Sequence, residues 1–430
     1  MTRILSVFLD HDLVGRLTQN DVGKIRFRYD SKWLENPCRR PLSMSLPLQA
    51  ATFNAKACLG FFSGLLPEAE LRKIIAKNLG VSDRNDFSLL ERIGGDCAGA
   101  VTFLSEGKIP PKTPYEYKAL TDHELADELR KLPLRPLLAG EDRMRLSLAG
   151  AQSKLAVSIQ DGTLSLPLDG APSTHILKPG NPRFENLVFN EGFCMRLAGR
   201  VGLSVASVEI KSVEEISYLL IERYDRKIIK ESPIYKRLHQ EDFCQALAIV
   251  SEMKYQKEGG PSLKKCFQLV RQHASVPAVD LSRLLDAVIY NYLIGNNDAH
   301  GKNFSFLYDW EADFSADAVD PLGFSAKPTM KISLAPLYDL VSTVYYPDLS
   351  CDMAMSIGNK YHLETLMLRQ FEELAEEIGF TKTAVRRRVC EFTEKLNMTL
   401  NNAEFDDPLI NPIKDMIKKR CQRILTQSIR

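Results

Sequence analysis

The segment Ile294 to Phe306, which reads IGNNDAHGKNFSF, concentrates polar side chains between two apolar stretches. Within it, Asp298 and Asn303 are five residues apart. The Asp and Asn of a protein-kinase catalytic loop have the same spacing, in H-R-D-x-x-x-x-N. A carboxylate can accept the proton of an attacking hydroxyl, and an amide oxygen can help to hold Mg²⁺. The pair therefore indicates phosphoryl transfer, with Asp298 as the base.

Two further residues of this loop bear on the same chemistry. His300 turns the pattern into D-x-H-x-x-N, which also occurs in phosphoinositide-type lipid kinases, and Lys302 adds a cation able to offset charge on a transferring phosphoryl group. A bare D-x-x-x-x-N arises by chance about once in a chain of this length. The alternative is a polar helix-to-strand loop in which Asp298 and Asn303 only bond backbone groups.

A second acidic residue, Asp339, interrupts the apolar stretch MKISLAPLYDLVST. A strand followed by Asp and then apolar residues is the position of the second Mg²⁺-binding acid in kinases. The usual D-F-G reads D-L-V here, so the Phe-Gly switch of many kinases is not expected. The alternative is that Asp339 caps a following helix.

Upstream, a loop and a lysine could bind phosphates. Leu146 to Val157 reads LSLAGAQSKLAV, whose small residues would let backbone N–H groups approach a phosphate; an ordinary hairpin turn is the alternative. Lys178 ends the strand-like THILKP, as the phosphate-pairing Lys of V-A-I-K ends its strand. Its expected ion-pair partner is Glu191 on the following helix, with Glu185 as the alternative. A solvated surface lysine is the other interpretation.

The elements that must position these residues change in character along the chain. Residues 1–107 alternate short apolar runs with turns and predict a small α/β subdomain, and 108–140 is a connecting segment rich in proline. Residues 141–225 predict a sheet carrying one helix from about Asn186 to Val201, and 226–430 are mostly helical. Backbone groups at Glu222 to Tyr224, between sheet and helices, could bind an adenine edge.

The order of these parts is the order found in kinases: flexible loop, Lys, helix with Glu, linker, D-x-x-x-x-N and Asp. The predicted fold class is α+β: a two-lobed protein-kinase-like fold with an extra N-terminal α/β subdomain and a mostly helical C-terminal lobe.

Composition excludes several other classes of protein. The 430 residues are 44% hydrophobic and 26% charged, which is ordinary for a globular protein, and a net charge of +1 does not predict nucleic-acid binding by the whole chain. The nine cysteines form no C-x-x-C pair, and the first residues, MTRILSVFLDHDLVG, predict neither a signal peptide nor a membrane span. We therefore expect a cytoplasmic protein without a membrane partner.

Several motifs together resemble the HipA-type toxin kinases. Similar to that family are Ser147 to Lys154, the Lys strand HILK, Glu222 to Arg226, Gln240 to Gln245, Asp298 to Asn303, Pro336 to Leu340, and the N-terminal FFSGLLPE (61–68) and GGDCAGAV (94–101). The resemblance covers nearly the whole chain. One departure is Ser153, where the best-known members have Glu.

The resemblance implies an ATP- and Mg²⁺-dependent serine/threonine protein kinase that acts as the toxin of a type II toxin–antitoxin system. Asp298 would be the base, Asn303 and Asp339 would bind Mg²⁺, and Ser147 would be autophosphorylated. Substrates would belong to the translation machinery, such as an aminoacyl-tRNA synthetase, and a HipB-like helix-turn-helix antitoxin would restrain the kinase and bind operator DNA. ATP contacts would fall on Ala149, Gly150, Ala151, Gln152, Ser153, Lys154, Lys178, Glu222, Arg223, Tyr224, His300, Gly301, Lys302, Asn303, Tyr338 and Asp339.

Two other functions are compatible with the same residues. One is a lipid or small-molecule kinase, although no amphipathic basic helix predicts a membrane site. The other is a kinase-like scaffold that binds a repressor and DNA, for which Lys178, Asp298, Asn303 and Asp339 would have no chemical use. The basic residues Arg386 to Arg388, with Lys414, Lys418, Lys419 and Arg420, could touch operator phosphates or could be solvated helix faces.

Overall fold

A computed structural model describes residues 2–228, 235–311, 329–402 and 407–428. Its first layer is an antiparallel sheet of strand order β3-β2-β1-β4 with helices packed beside it. The elements are β1 (Arg3–Leu9), β2 (Asp12–Gln19), β3 (Ile25–Tyr29), α1 (Ser31–Glu35), α2 (Ala55–Gly64), α3 (Ala69–Leu79), α4 (Asp86–Ile93) and β4 (Val101–Ser105). Strand β3 alternates buried and exposed residues, as one covered sheet face requires.

A six-stranded antiparallel sheet of order β5-β7-β6-β8-β10-β9 forms the second layer. Its elements are β5 (Tyr117–Ala119), α5 (Asp122–Lys131), β6 (Leu155–Gln160), β7 (Thr163–Pro167), β8 (His175–Pro179), α6 (Leu187–Arg200), β9 (Val208–Val213) and β10 (Ile216–Glu222). Residues 108–140, predicted to be a connecting segment, supply the edge strand β5 and helix α5, so they are more than a connection.

The rest of the chain is mostly helical, with small sheets that the periodicity did not predict. Its elements are β11 (Arg226–Ile228), β12 (Tyr235–Arg237), β13 (His239–Asp242), α7 (Phe243–Ala246), α8 (Leu263–His273), α9 (Pro277–Ile294), β14 (Ser305–Glu311), β15 (Thr329–Leu334), β16 (Asp352–Ile357), β17 (Lys360–His362), α10 (Leu368–Ile378), α11 (Lys382–Thr399) and α12 (Asn411–Ser428). The stretch EDFCQALAIVS was predicted to be helical throughout, but within it the α-helix is limited to α7, Phe243–Ala246. The first residues of the stretch instead pair as β13 with β14.

Two hydrophobic cores hold these layers together. The first is shared by the N-terminal sheet and one face of the six-stranded sheet, and includes Phe27, Phe103 and Leu177. The second joins α6 to the C-terminal helices, through residues such as Phe193 and Tyr290. The two-lobed kinase-like fold with an extra N-terminal subdomain is therefore confirmed. Within the described residues, no helix combines the length and apolar character needed to cross a membrane.

Candidate active site

A cavity of about 720 Å³ opens between the lobes, a size suited to a nucleotide. Most of the predicted ATP-binding residues line it, and so does Asp298. Two do not: Ser153 lies outside its wall, and Gly301 packs behind it. A Cβ on Gly301 would lie 2.4 Å from Cγ of Pro261, so only glycine fits at that contact. From the predicted set, the lining includes Ala149, Gly150, Ala151, Gln152, Lys154, Lys178, Glu222, Arg223, Tyr224, His300, Lys302, Asn303, Tyr338 and Asp339.

The catalytic-loop candidate begins where α9 ends. Gly295 has a left-handed φ of 72°, and its N–H bonds the carbonyls of Asn291 and Tyr292, which terminates the helix. A Cβ there would also lie 2.5 Å from Val344. The chain then turns into a loop in which the Asn303 amide oxygen accepts a hydrogen bond from the His300 N–H at 3.3 Å. The loop thus presents Asp298, His300 and Asn303 to one cavity.

Asp298 lies at the mouth of this cavity, where solvent reaches the residue. The surrounding protein still desolvates its carboxyl group, which raises its pKa, and the Tyr255 hydrogen bond and Lys254 only partly oppose that rise. Burial, together with Lys254 and Lys302, lowers the pKa of His300 well below its usual value, so this imidazole is neutral. His300 Nδ1 is buried and lacks a hydrogen-bond partner among the described residues.

Lys178 lies at the centre of the cleft. Its Nζ is 2.6 Å from Glu191 Oε1 and also contacts Asp339 Oδ1. Burial would lower the pKa of Lys178, but Asp339 and Glu191 outweigh it and the pKa is raised. The structure therefore selects Glu191 over Glu185 as the partner on α6, and the interpretation of Lys178 as a solvated surface residue is wrong.

Asp339 does not cap a helix. It occupies a loop with φ of 53°, a left-handed conformation that non-glycine residues adopt uncommonly. Burial alone would raise its pKa, but Lys178 and Lys154 outweigh burial and hold the carboxyl group ionised. Its backbone carbonyl also accepts a hydrogen bond from Asn296 at 3.4 Å. This strained position turns an acidic side chain towards the lysines of the cleft.

The loop from Ser147 to Lys154 is no simple hairpin turn, because the N-terminal subdomain holds it. Gly150 has φ of 108°, and its carbonyl accepts a hydrogen bond from the Glu68 N–H at 3.1 Å. Lys154 Nζ donates to the Ala149 carbonyl at 2.5 Å, and burial lowers the pKa of Lys154 to about 8. The loop therefore folds around one ammonium group beside the cavity.

The predicted adenine-binding connection is anchored by a buried ion cluster, which we name the Asp96 cluster: Asp96, Arg223, Asp225, Arg226 and Arg237. Arg226 Nη2 and Arg223 Nη1 lie 2.8 Å and 3.3 Å from the Asp96 carboxylate, whose side chain is fully buried. The guanidinium of Arg223 is thus committed to structure. At this connection, backbone atoms and the Tyr224 ring can still contact a nucleotide. The centroid of the Tyr224 ring lies 5.9 Å from that of the Tyr338 ring.

Lys302, predicted to offset charge on a transferring phosphoryl group, lines the cavity but is already paired with two carboxylates. Its Nζ is buried and lies 2.9 Å from Asp242 Oδ2 and 3.6 Å from Glu68 Oε1. Three residues of the possible DNA-binding patch are engaged by the protein itself: Arg386 contacts Glu372, Arg388 contacts Asp286, and Arg420 is buried. These residues are therefore structural ion pairs or helix faces.

Sequence reasoning missed Glu68, Lys254 and Tyr255, which also line the cavity. Lys254 Nζ lies 2.9 Å from Glu68 Oε2, and Tyr255 donates a hydrogen bond to Asp298 Oδ1 at 2.5 Å. Glu68 ends the FFSGLLPE motif, whose resemblance to the HipA-type kinases gives no role to the Glu68 carboxylate. No local pattern marks Tyr255, because its partner belongs to another loop.

The donor atoms suit a magnesium nucleotide. Mg²⁺ prefers oxygen ligands and is usually bound through one or two carboxylates together with substrate phosphates. Asp339 offers a carboxylate and Asn303 an amide oxygen in the same cavity, while the described residues contain no cluster of three or more acidic, histidine or cysteine side chains that could hold a metal alone. The unpaired His300 Nδ1 gives a further buried polar atom for a ligand.

Comparison with known proteins agrees with this architecture. The family description "HipA N-terminal domain" matches residues 5–104, and "HipA-like C-terminal domain" matches 146–400. The chain is 45% identical to "Putative kinase Y4mE" of Sinorhizobium fredii, across 98% of each chain. It is 28% identical to "Serine/threonine-protein kinase toxin HipA" of Shewanella oneidensis, across 99% of this chain and 96% of the other.

A solved structure shares the fold over the same length. It is the Shewanella oneidensis complex of HipA, HipB and operator DNA, which gives a TM-score of 0.81 at 25% identity and covers 98% of this chain and 97% of that one. Because both halves of the chain match and the fold extends across both, the protein belongs to the HipA family of kinase toxins.

Proposed function

We propose that this chain is an ATP- and Mg²⁺-dependent serine/threonine protein kinase and the toxin of a toxin–antitoxin pair. The observation that carries the proposal is the contact of Lys178 with both Glu191 and Asp339, in the same cavity as Asp298 and Asn303. A lysine paired with a helix glutamate beside a metal-binding acid is the arrangement that kinases use to hold ATP phosphates.

In the proposed mechanism, Asp298 accepts the proton of a serine or threonine hydroxyl as its oxygen attacks the γ-phosphorus and the bond to ADP breaks. Lys178 and Lys154 lie where they can balance phosphate charge. Neutral His300 can bond a phosphate oxygen without adding charge. Mg²⁺, bound through Asn303 and Asp339, would neutralise charge developing on the phosphates.

The proposed partners follow from the relatives. The Shewanella oneidensis HipA structure contains HipB and operator DNA. By analogy, we infer a HipB-like helix-turn-helix antitoxin for this chain, and contact with operator DNA mainly through that antitoxin. A net charge of +1 supports an indirect DNA contact. The proposed substrate is a protein of the translation machinery, such as an aminoacyl-tRNA synthetase, and the proposed location is the cytoplasm.

Incubation of the purified protein with Mg²⁺ and γ-labelled ATP tests the kinase activity. We expect label on a serine of the chain itself, with Ser147 as the proposed site, located by mass spectrometry. Label that requires Mg²⁺ supports the kinase. Absence of both label and Mg²⁺-dependent ATP binding would instead favour the non-enzymatic scaffold.

Phosphorylated Ser147 is expected to inactivate the protein. The side chain is fully buried, and its hydroxyl donates to the Leu65 carbonyl at 2.8 Å, so a phosphate of about −1.5 to −2 charges does not fit there. The loop must leave the cleft, since Arg143 already pairs with Glu116 and Asp169, and Arg145 bonds the carbonyls of Glu91 and Phe103. ATP titration and turnover of fully phosphorylated protein measure the loss.

The matched control is Ser147→Ala, which removes the phosphate acceptor and one hydrogen bond but adds no charge. We expect this variant to keep ATP binding and the phosphorylation of other proteins. Normal ATP affinity and turnover in the fully phosphorylated protein would contradict the expected loss.

A further inference from the structure

The loop 254–261 contains one short 3-10 helix, Gln256–Glu258, and contributes Lys254, Tyr255, Lys257 and Glu258 to the cavity lining; we call it the strap. Gly259 has φ of 105°, and a Cβ on Gly260 would lie 2.6 Å from the carbonyl oxygens of Met253 and Lys254. Both glycines are therefore needed for this loop. At its end, Pro261 packs against Gly301 of the catalytic loop.

The strap is tied to both walls of the cleft. On one side, Lys254 pairs with Glu68 of the N-terminal subdomain. On the other side, Gln256 exchanges hydrogen bonds with Ser356, donating to its Oγ at 3.1 Å and accepting from its N–H at 3.0 Å. Lys257 Nζ adds a contact of 2.6 Å to Asp352. Tyr255 stands between these anchors, so its position is set from both sides.

The Tyr255 side chain reaches the proposed base. Its hydroxyl donates to Asp298 Oδ1 at 2.5 Å, and its ring meets the His300 ring edge-on, with centroids 5.4 Å apart. An aspartate carboxyl group has a broad terminal torsion and would rotate at an exposed site. A carboxylate offers about four lone-pair sites, so one fixed oxygen leaves the other able to accept the proton of a substrate hydroxyl.

We propose that Tyr255 is the positioning residue for Asp298, and that the strap holds its hydroxyl so that the carboxylate faces the acceptor. The inference rests on the proposed kinase function. It assigns to the N-terminal subdomain a part in catalysis, since Glu68 fixes one end of the strap through Lys254.

The test is Tyr255→Phe, which keeps the ring and removes only the hydroxyl. With γ-labelled ATP and Mg²⁺, the maximal rate of self-labelling should fall about tenfold, because the base is no longer held in a productive orientation. The ATP concentration that gives half the maximal rate should change less than about twofold, since Tyr255 is expected to act on the base and not on nucleotide binding. In the Asp298→Asn background, the same change should cost nothing further.

Tyr361→Phe is the matched control. Lys257 Nζ lies 4.5 Å from the Tyr361 ring centroid, so the Tyr361 ring contacts the strap. Tyr361→Phe keeps that ring and removes a hydroxyl other than the one that bonds Asp298. Its rate should equal that of the wild type, and both variants should unfold at the wild-type temperature.

An unchanged rate in Tyr255→Phe would overturn the proposal. A faster rate would also overturn it, because Tyr255 would then be competing with the acceptor for Asp298. If the wild type transfers no phosphate, the kinase function itself fails, and this inference falls with it.

Discussion

Asp298→Asn should lower phosphoryl transfer by about 100- to 10,000-fold, the range that a positioned general base contributes. The asparagine keeps the shape and an oxygen that can accept the Tyr255 hydroxyl hydrogen, but it cannot take the proton of the substrate. ATP should still bind within about twofold of the wild-type affinity, because Lys178, Lys154 and the loop around Gly150 are untouched. Label transfer and ATP titration measure the two effects separately.

An exposed aspartate outside the cavity lining supplies the control for this experiment. Asp415 lies on α12 outside the residues that line the cavity, so Asp415→Asn should transfer phosphate at the wild-type rate. If Asp298→Asn retained more than about a tenth of the activity, Asp298 would not be the general base, and another group would have to accept the proton.

Asp96→Asn should lower the free energy of unfolding by about 3 to 5 kcal/mol, the usual cost of breaking a buried ion pair. The Asp96 carboxylate also accepts hydrogen bonds from the backbone N–H and hydroxyl of Ser173, at 3.0 Å and 2.6 Å. Removing its charge leaves Arg223 and Arg226 paired with one buried acid, Asp225, and takes from Arg237 the carboxylate charge that lies 3.4 Å away. Chemical denaturation of both proteins measures the difference.

Asp127→Asn is the control for stability. Asp127 lies on α5 in a largely exposed pair with Arg130, and such surface pairs contribute little. A loss below about 1 kcal/mol for Asp96→Asn, comparable with that of a surface pair, would show that the Asp96 cluster does not hold the N-terminal subdomain to the adenine-side connection.

The sequence predicted best those helices and contacts that depend on residues close together along the chain. Helix α6 was predicted from Asn186 to Val201 and spans Leu187–Arg200, because its apolar periodicity is local information. Lys178 and Glu191 lie on consecutive elements, so the strand and helix between them nearly determine that they meet. Short pieces were predicted poorly. Helix α7 begins only at Phe243, because the preceding residues pair in a strand with β14, a partner that periodicity cannot reveal.

The reactive side chains of the cleft could be identified from the amino-acid order alone: a carboxylate and an amide five residues apart, a lysine at the end of a strand, and an acid in an apolar segment. Which partners these side chains have depends on how the subdomains pack. Tyr255 is 43 residues from Asp298, and Arg226 is 130 residues from Asp96, so only packing of the subdomains brings these pairs together. The same packing committed Lys302 to Asp242 and Glu68, because a buried ammonium needs an opposite charge within reach.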